Sequence, residues 1–436
     1  MTPRLTRGTY LGYAVGSIGT AAFGTVPGLL LLYYLTDVLG VAAAVAGLVV
    51  FAPKAWDVLV NPYIGSLSDR TESRWGSRRP WMLAGGLTLP VLFVVMFAGP
   101  AATPGAAAGW VAVAFLLAAT AYGCFQVPFI AQPAEITDDY HERATMLSWR
   151  VAFLAVGILV AGAGAPAIVE LAGGGRGGYF AMSIFVAALL ALGMVGATIG
   201  TSRAPTLIRT TSEASLLAAL RVARGNRPFV VLMTVFVVQA LATGTMLAGV
   251  PYYAQYTLRD TGLNTVLFVC LVAPAVLVMP LWLRTARRLG KRHGLRLASL
   301  VFASGAALLA VGGPVPSVVV FVLVAMVGVG YAGMQMFPMA MLPDTIAADA
   351  VDSGRRRAGV YTGVWTAGET LGLALGPGVF ALLLTLGGYL SSTEGVTVEQ
   401  PGSALLAVRL GFSLLPAGLV LATVPLMARY PEMARR

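Results

Sequence analysis

The sequence predicts an all-α integral membrane protein in which twelve transmembrane helices form two halves of six. Three observations support this fold class. Of the 436 residues, 58% are hydrophobic and only 11% are charged, whereas about a quarter of the residues in a soluble domain are charged. The charges are clustered, so that no charged residue occurs between Arg79 and Glu135 or between Arg296 and Asp344. The order of motifs in the first half also recurs in the second.

Each long charge-free stretch has room for two membrane spans and a turn. A bilayer core about 30 Å thick needs about 20 apolar residues of helix, and backbone groups in a bilayer must be satisfied internally, which favours helices. Pro100, Pro104 and Gly105 predict the first turn, and the Gly/Pro-rich segment 312–316 predicts the second. The predicted spans are 9–35, 41–66, 80–99, 109–132, 145–171, 179–201, 228–256, 264–284, 294–313, 317–342, 358–385 and 404–427.

The basic residues are distributed unevenly between the two predicted sides of the membrane. Even-numbered connections and the two termini carry almost all of them, and outside the spans only Arg176, Arg259 and Arg409 fall on the other side. Because cytoplasmic loops are enriched in Lys and Arg, both termini are predicted to be cytoplasmic. The net charge of +11 is therefore a topology signal and does not indicate nucleic-acid binding.

Motifs in the first half recur in the second. Tyr33-Tyr34 closes the first predicted span and Tyr252-Tyr253 closes the seventh, while the basic loop 70–79 corresponds to the basic loop 284–296. Two parallel six-helix halves, each containing inverted three-helix repeats, are the architecture of major facilitator transporters.

The predicted halves are 1–202 and 228–436, and residues 203–227 join them on the cytoplasmic side. We expect a short helix in this joining segment, capped by Ser212 and lying on the inner leaflet. A plain linker is the alternative.

Four charged residues fall inside predicted spans: Lys54, Asp57, Arg150 and Glu369. A charge in a span costs about 2.5–3.5 kcal/mol on insertion scales, so it requires a reason. One interpretation is a cation or proton site with an anchoring arginine across a central cavity. The alternative is a set of buried ion pairs that fix helix packing. Lys54 can also snorkel or pair with Asp57.

Neutral polar and aromatic residues recur at the predicted depth of the membrane centre. Amide and aromatic side chains together suit a hydroxylated or amphiphilic solute, although hydrogen bonds between helices explain the same residue types. The predicted substrate-binding residues are Thr20, Tyr122, Gln126, Arg150, Gln239, Gln335, Trp365 and Thr366.

Charged residues at the predicted inner ends of the helices suggest a conformational latch. An acid followed by arginines closes the second span, and mixed acidic and basic loops follow the fourth and tenth spans. Ion pairs there are expected to break and reform during alternating access, whereas the alternative is that these charges only set the topology. The predicted latch residues are Asp69, Arg70, Arg78, Arg79, Glu135 and Asp344.

Several motifs resemble one transporter family along essentially the whole chain. They are Tyr33-Tyr34 with Thr36-Asp37, Trp56-Asp57 with Asn61-Pro62, Arg74-Trp75-Gly76 with Arg78-Arg79-Pro80-Trp81, and Gly354-Arg355-Arg356. The sequence resembles the glycoside–pentoside–hexuronide:cation symporters, the melibiose-permease group of the major facilitator superfamily (MFS). It is also similar to the sodium-dependent lysophosphatidylcholine transporters.

The resemblance implies a cation site. Asp57 matches the first acid of the family's cation motif, Asn61 stands in place of the second acid, and Thr370, beside Glu369, stands in place of the lysine of the eleventh span. Sodium needs several oxygen ligands, whereas a proton needs a single desolvated carboxylate. The predicted cation-binding residues are therefore Asp57, Asn61, Glu369 and Thr370, with a proton or sodium as the coupling ion.

The resemblance also implies a substrate site. Arg150 matches an arginine near the substrate, whereas Ala21 and Gln126 replace the two aspartates that grip sugar.

The predicted function is secondary active transport by alternating access, with a proton or sodium coupled to symport of a sugar- or glycoside-like solute across the cell membrane. A transporter or exporter of lysolipids, other amphiphiles or natural products is the alternative on the same scaffold. A membrane receptor or enzyme is a third interpretation. The expected partners are the solute and the lipid bilayer, with no nucleic acid, cofactor or metal, in a monomer.

Overall fold

The computed structural model describes residues 5–99, 103–137, 139–204, 216–310, 316–353, 358–396 and 398–430, and it is almost entirely helical. Within these ranges the β pairing consists of one isolated antiparallel bridge, between Leu39 and Thr393. The predicted all-α class is therefore confirmed for the described part of the chain.

The first six long helices are α1 (Arg7–Val26), α2 (Ala43–Asp69), α3 (Arg79–Phe97), α4 (Pro104–Ile136), α5 (Tyr140–Leu171) and α6 (Gly175–Gly200). Side-chain hydrogen bonds explain where two of these helices begin. The Thr6 hydroxyl accepts from the Thr9 N–H, and the Asp139 carboxylate caps α5 by accepting from two N–H groups. Two π-helical turns, Pro27–Leu31 and Tyr34–Val38, extend α1.

The remaining helices are α7 (Leu216–Gly225), α8 (Arg227–Tyr252), α9 (Leu263–Leu277), α10 (Met279–Leu289), α11 (Lys291–Leu308), α12 (Ser317–Ser353), α13 (Ala358–Leu386), α14 (Gly402–Phe412) and α15 (Leu414–Ala428). The Asn226 side chain caps α8, and a π-helical turn, Tyr253–Leu258, extends it. Pro280 lies in the first turn of α10 and cannot donate a backbone hydrogen bond, so α9 and α10 meet at a bend of 41°.

Nine of the described helices, and α14 with α15 as one segment, are long and apolar enough to cross a membrane, and the bent pair of α9 and α10 gives up to eleven candidate spans. Helix α11 lies at the predicted span 294–313 but is not among them, because Lys291, Arg292 and Arg296 fall within its 18 residues. Each predicted span coincides with helical structure, while the number twelve and the orientation stay predictions.

The chain divides into two compact units. Unit 1 consists of Met1–Glu213 with Ser391–Val398, and unit 2 consists of Ala214–Leu390 with Glu399–Arg436. Inside unit 1, α1 packs on α5 and α6, α3 packs on α4 and α6, and α2 packs on α4. Inside unit 2, α8 packs on α13 and α15, α11 packs on α12 and α15, and α9 packs on α12. The same neighbour pattern therefore occurs twice.

Close helix crossings in both units depend on glycine. A Cβ atom on Gly12 of α1 would lie 2.7 Å from the Cα of Gly200 in α6. A Cβ atom on Gly376 of α13 would lie 2.2 Å from the carbonyl carbon of Gly244 in α8. Small residues let helix backbones approach closely enough to pack without a hydrophobic driving force in lipid.

Two polar contacts are also repeated. The Tyr34 hydroxyl donates to the Phe97 carbonyl (3.3 Å), and the Tyr253 hydroxyl donates to the Leu309 carbonyl (3.4 Å). In each unit the tyrosine therefore binds the end of a neighbouring helix, α3 in one case and α11 in the other.

The second repeated contact involves an arginine at the start of a helix. The Arg79 guanidinium donates to the carbonyls of Thr201 and Ala204 beyond α6, each at 2.8 Å. The Arg292 guanidinium donates to the Ala428 carbonyl at the end of α15, also at 2.8 Å. Helix ends leave carbonyls without intrahelical partners, and both units satisfy them with the same kind of residue.

Residues Ser391–Val398, here called the strap, belong to unit 1 although their chain neighbours belong to unit 2. The bridge between Leu39 and Thr393 lies within the strap's contact with unit 1. Further hydrogen bonds run from Ser392 N to Thr36 O (2.9 Å), from Glu394 N to Val38 O (3.3 Å), from Ser391 Oγ to Val41 O (2.8 Å) and from Arg176 N to Glu394 Oε2 (3.1 Å).

Helix α7 lies inside the predicted joining segment 203–227. Its position at the membrane surface stays a prediction, as do the predicted limits of the two halves. Ser212 lies outside the described residues, as do Gly354, Arg355 and Arg356.

Candidate functional site

Helix α2 places two of the four predicted intramembrane charges in unit 1. Lys54 and Asp57 are three residues apart, so both lie on one side of the helix. Asp57 is only 4% exposed, and its Oδ1 is buried without a hydrogen-bond partner among the described residues. The Lys54 ammonium lies 4.9 Å from the ring centroid of Phe23 and about 6 Å from those of Phe115 and Tyr122. The described contacts of Lys54 are thus cation–π contacts, and Asp57 lies within electrostatic range of its ammonium.

Arg150 on α5 lies against a second aromatic group in unit 1. Its guanidinium carbon is 5.6 Å from the ring centroid of Phe129, which stacks on Tyr13 with 4.6 Å between centroids. The Arg150 Nε and the Tyr13 hydroxyl are both buried without a described hydrogen-bond partner. Asp57 and Arg150 both lie within electrostatic range of the Tyr122 hydroxyl. Unit 1 therefore brings opposite charges near one aromatic region.

Two predicted amide residues in unit 1 also have unpartnered oxygens. Gln126 Oε1 and Asn61 Oδ1 are buried without hydrogen-bond partners in the described part of the chain. Asn61 packs against α4, where a Cβ atom on Gly123 would lie 2.6 Å from Asn61 Oδ1. A buried polar group without a partner costs about 1–3 kcal/mol. Such a group therefore indicates that a water, an ion or a solute completes the site.

Thr20, the other predicted substrate residue in unit 1, has a local partner. Its hydroxyl is buried and donates to the Ser17 carbonyl at 3.1 Å on its own helix. The hydroxyl oxygen can still accept a hydrogen bond.

Unit 2 gathers predicted cation and substrate residues into one pocket. Glu369, Gln239 and Gln335 line a cavity of about 10 Å³, room for about one water-sized occupant. The other residues that line it are Ala240, Thr243, Tyr331, Met334 and Leu373. The sequence analysis did not include Tyr331 or Thr243 in the binding set, although Tyr331 lies one helical turn before Gln335.

The remaining predicted residues of unit 2 lie apart from this pocket's lining. Trp365 stacks on Phe236 with ring centroids 4.3 Å apart, and its indole N–H is buried without a described partner. Thr366 is exposed and donates to the Thr362 carbonyl, and Thr370 is half-buried.

Three of the predicted latch residues meet in unit 1. The Arg78 guanidinium pairs with Asp69 at 2.5 Å and with Glu135. It also donates to the Ser68 hydroxyl at 3.4 Å. Asp69 ends α2, Arg78 precedes α3 and Glu135 lies in the last turn of α4, so one guanidinium connects three helix ends.

The other predicted latch residues have different positions. Arg79 binds the carbonyls beyond α6, and the exposed Arg70 side chain makes no ion pair within the described ranges. Asp344 pairs with Lys291 at 2.5 Å in unit 2. Lys291 was not among the predicted latch residues, although the match between the loops 70–79 and 284–296 was a signal for its contact with Asp344.

Comparison with known proteins supplies the family context. A family model described as MFS/sugar transport protein matches residues 12–432. The isoprimeverose transporter of Lactiplantibacillus pentosus is 24% identical, covering 91% of this chain and 83% of that protein. A glucuronide carrier protein homolog of Escherichia coli is also 24% identical, with coverage of 99% and 94%.

A lipid transporter and a solved structure are also similar. The sodium-dependent lysophosphatidylcholine symporter 1 of Gallus gallus is 22% identical, with coverage of 98% of this chain and 87% of that protein. The crystal structure of the nucleoside transporter NupG superposes with a TM-score of 0.67 at 16% identity, with coverage of 98% and 100%. At that identity the structural likeness concerns the fold alone.

Proposed function

The chain belongs to the MFS/sugar transport protein family, and from that premise we propose that it carries a sugar- or glycoside-like solute by cation-coupled symport. Secondary transport by alternating access is the mode of action that this fold supports. The relatives named as an isoprimeverose transporter and a glucuronide carrier homolog support a glycoside-like substrate.

We further propose that twelve spans cross the cell membrane with both termini in the cytoplasm. Counting α11 together with the ten apolar segments and the bent pair gives this number. The distribution of Lys and Arg between the predicted sides supports the orientation. We expect a monomer without a cofactor.

The observation that carries the coupling proposal is the buried Asp57 carboxylate. Its Oδ1 has no described hydrogen-bond partner, and Lys54 is held by aromatic rings nearby. A buried anion is stable only when a counter-charge or a proton accompanies it. Asp57 is therefore proposed to take up the coupling cation, either a proton or sodium, with the Asn61 oxygen as a second ligand for sodium. Glu369 and Thr370 are the second candidate set.

The proposed solute contacts lie on α4 and α5 in unit 1. The free Oε1 of Gln126 can accept from a solute hydroxyl, and the free Nε of Arg150 can donate to a solute oxygen. The half-buried ring of Tyr122 suits the apolar face of a sugar ring. Gln239, Gln335, Trp365 and Thr366 are the proposed contributions of unit 2.

The aromatic surroundings of Lys54 also favour a second candidate, an amphiphile such as a lysolipid. Phe23, Phe115, Tyr122 and Phe129 place apolar rings next to the cationic groups of Lys54 and Arg150. The relative named a lysophosphatidylcholine symporter supports this candidate.

Asp69, Arg78 and Glu135 are proposed to hold the inner ends of three helices in one arrangement. Breaking this cluster would accompany the transition between conformations.

Uptake into proteoliposomes tests the proposal. Labelled glycosides and lysolipids are offered with an imposed sodium or proton gradient, using wild type, Asp57→Asn and the exposed control Glu170→Gln. We expect gradient-driven accumulation of a glycoside in the wild type and the control, and an accumulation ratio near one for Asp57→Asn because the coupling ion has lost its carboxylate. Full accumulation by Asp57→Asn would contradict the role of Asp57.

A further inference from the structure

The pocket in unit 2 presents oxygen atoms whose neighbouring hydrogens are already engaged. Gln239 is 2% exposed, and its Nε2 donates to the Ser299 hydroxyl (3.0 Å) and the Thr423 hydroxyl (3.3 Å). These bonds use both amide hydrogens and fix the orientation of the group. The Oε1 is left buried without a described partner. Gln239 therefore offers the pocket an acceptor and no donor.

Two further residues of the pocket are held in the same way. The Gln335 Nε2 donates to the Tyr331 hydroxyl at 3.2 Å, and the Thr243 hydroxyl donates to the Gln239 carbonyl at 2.9 Å. The lone pairs of Thr243 Oγ1 and the Oε1 of Gln335 remain available. At Gln239 and Thr243 the hydrogen bonds thus direct donors away and leave acceptors for the pocket, while Gln335 keeps one amide hydrogen and Tyr331 keeps its hydroxyl hydrogen.

Glu369 adds a carboxylate to these neutral oxygens. It forms no hydrogen bond or ion pair with the described residues, and none of the described residues that line the pocket is basic. An isolated carboxylate in the membrane interior requires a positive partner. One carboxylate among neutral oxygens balances a single positive charge.

The volume of the pocket and its oxygen ligands limit which ion or molecule can bind there. Its volume of about 10 Å³ leaves room for about one water-sized occupant, so an ion fits better than a sugar. Calcium sites use six to eight oxygens that often include several carboxylates, and transition metals favour nitrogen or sulfur ligands. A proton would need the carboxylate alone and would not require Gln239 and Thr243 to present oxygens.

We infer that this pocket binds an alkali metal cation, with sodium as the ion to test, through Glu369, Gln239 and Thr243. The site is distinct from Asp57 and lies entirely within unit 2. Its use in transport rests on the proposed function, whereas the binding itself does not.

Direct sodium binding tests the inference without transport. Full-length protein purified in detergent is titrated with ²²Na⁺ in an Asp57→Asn background, so that the candidate cation site on α2 has lost its carboxylate. We expect saturable binding that Glu369→Gln abolishes and that Thr243→Val weakens by about tenfold or more, the scale on which lost coordination support weakens metal sites. Thr245→Val is the matched control, because its buried hydroxyl donates to the Leu241 carbonyl and does not line the pocket.

The outcomes separate this inference from the proposed function. Absence of sodium binding in the Asp57→Asn background, or binding unchanged by both Glu369→Gln and Thr243→Val, would overturn the inference. If Glu369→Gln does not yield monodisperse protein, the comparison of Thr243→Val with Thr245→Val decides whether sodium binds in this pocket. Glycoside uptake by a wild type without this sodium site would leave the transport proposal intact. Sodium binding by a protein that takes up no glycoside would support this inference and contradict the transport proposal.

Discussion

The Arg78 cluster allows a quantitative prediction for the stability of unit 1. Replacing Arg78 with methionine keeps much of the aliphatic volume and removes the guanidinium. Asp69 and Glu135, both bound to that group, would then lose this counter-charge. We therefore expect Arg78→Met to lower the free energy of unfolding.

The magnitude follows from the exposure of the three side chains. The Arg78 side chain is 9% exposed, that of Asp69 is 29% and that of Glu135 is 19%. Exposed ion pairs contribute about 0.2–1 kcal/mol, while removing one partner of a buried pair costs about 3–5 kcal/mol. Because the arginine is nearly buried but the acids keep some solvent, the expected loss is about 2–3 kcal/mol.

Unfolding of the purified protein by sodium dodecyl sulfate in mixed micelles, followed by far-UV circular dichroism, measures this loss. The exposed Arg74, whose guanidinium stacks on Trp75, provides the control Arg74→Met, with an expected change within about 0.5 kcal/mol. Adding Glu135→Gln to Arg78→Met should recover about 1 kcal/mol, because one uncompensated carboxylate is removed. The reasoning is refuted if Arg78→Met costs no more than Arg74→Met, or if the second change recovers nothing.

We propose that the strap, whose chain neighbours on both sides belong to unit 2, releases its bonds to unit 1 during alternating access. A disulfide between Leu39→Cys and Thr393→Cys, formed across the antiparallel bridge, should therefore block uptake on oxidation and restore it on reduction. Each single variant serves as a control, and full uptake by the cross-linked protein would contradict this release. Gly376→Ala should destabilise unit 2 by about 1–3 kcal/mol in the same unfolding assay, because its Cβ would collide with the Gly244 backbone. The control Gly363→Ala meets open space and should not destabilise the unit, so equal losses for both variants would disprove the crossing argument.

The helices were predictable because the membrane imposes length and composition on each span. Charge-free stretches, Gly/Pro turns and basic loops located helical structure at every predicted span. The number of spans was harder, because α11 begins with Lys291 and Arg292 and therefore lacks the charge-free composition of its neighbours. The structure shows these residues bound to Asp344 and to the end of α15, which no local pattern reveals.

The residues of the candidate sites were predictable from their types, but which of them lie together was only partly predictable. Buried charges and amides stand out in an apolar sequence, so Asp57, Arg150 and Glu369 could be selected. Their partners come from other helices, and the sequence carries no distance between helices. The aromatic rings around Lys54 look like ordinary core residues. Arg79 was expected in the latch but binds helix-end carbonyls, because it lies one residue beyond Arg78 and faces α6.

The strap has a consequence for biosynthesis. Unit 1 includes Ser391–Val398, which the ribosome makes roughly 180 residues after the rest of that unit; at about 5–20 residues per second this is a delay of roughly 10–40 s. During that interval the nascent first half has inserted, but the backbone groups of Thr36 and Val38 lack their final partners. A chain truncated before the strap therefore leaves these backbone groups of its first half without their final partners.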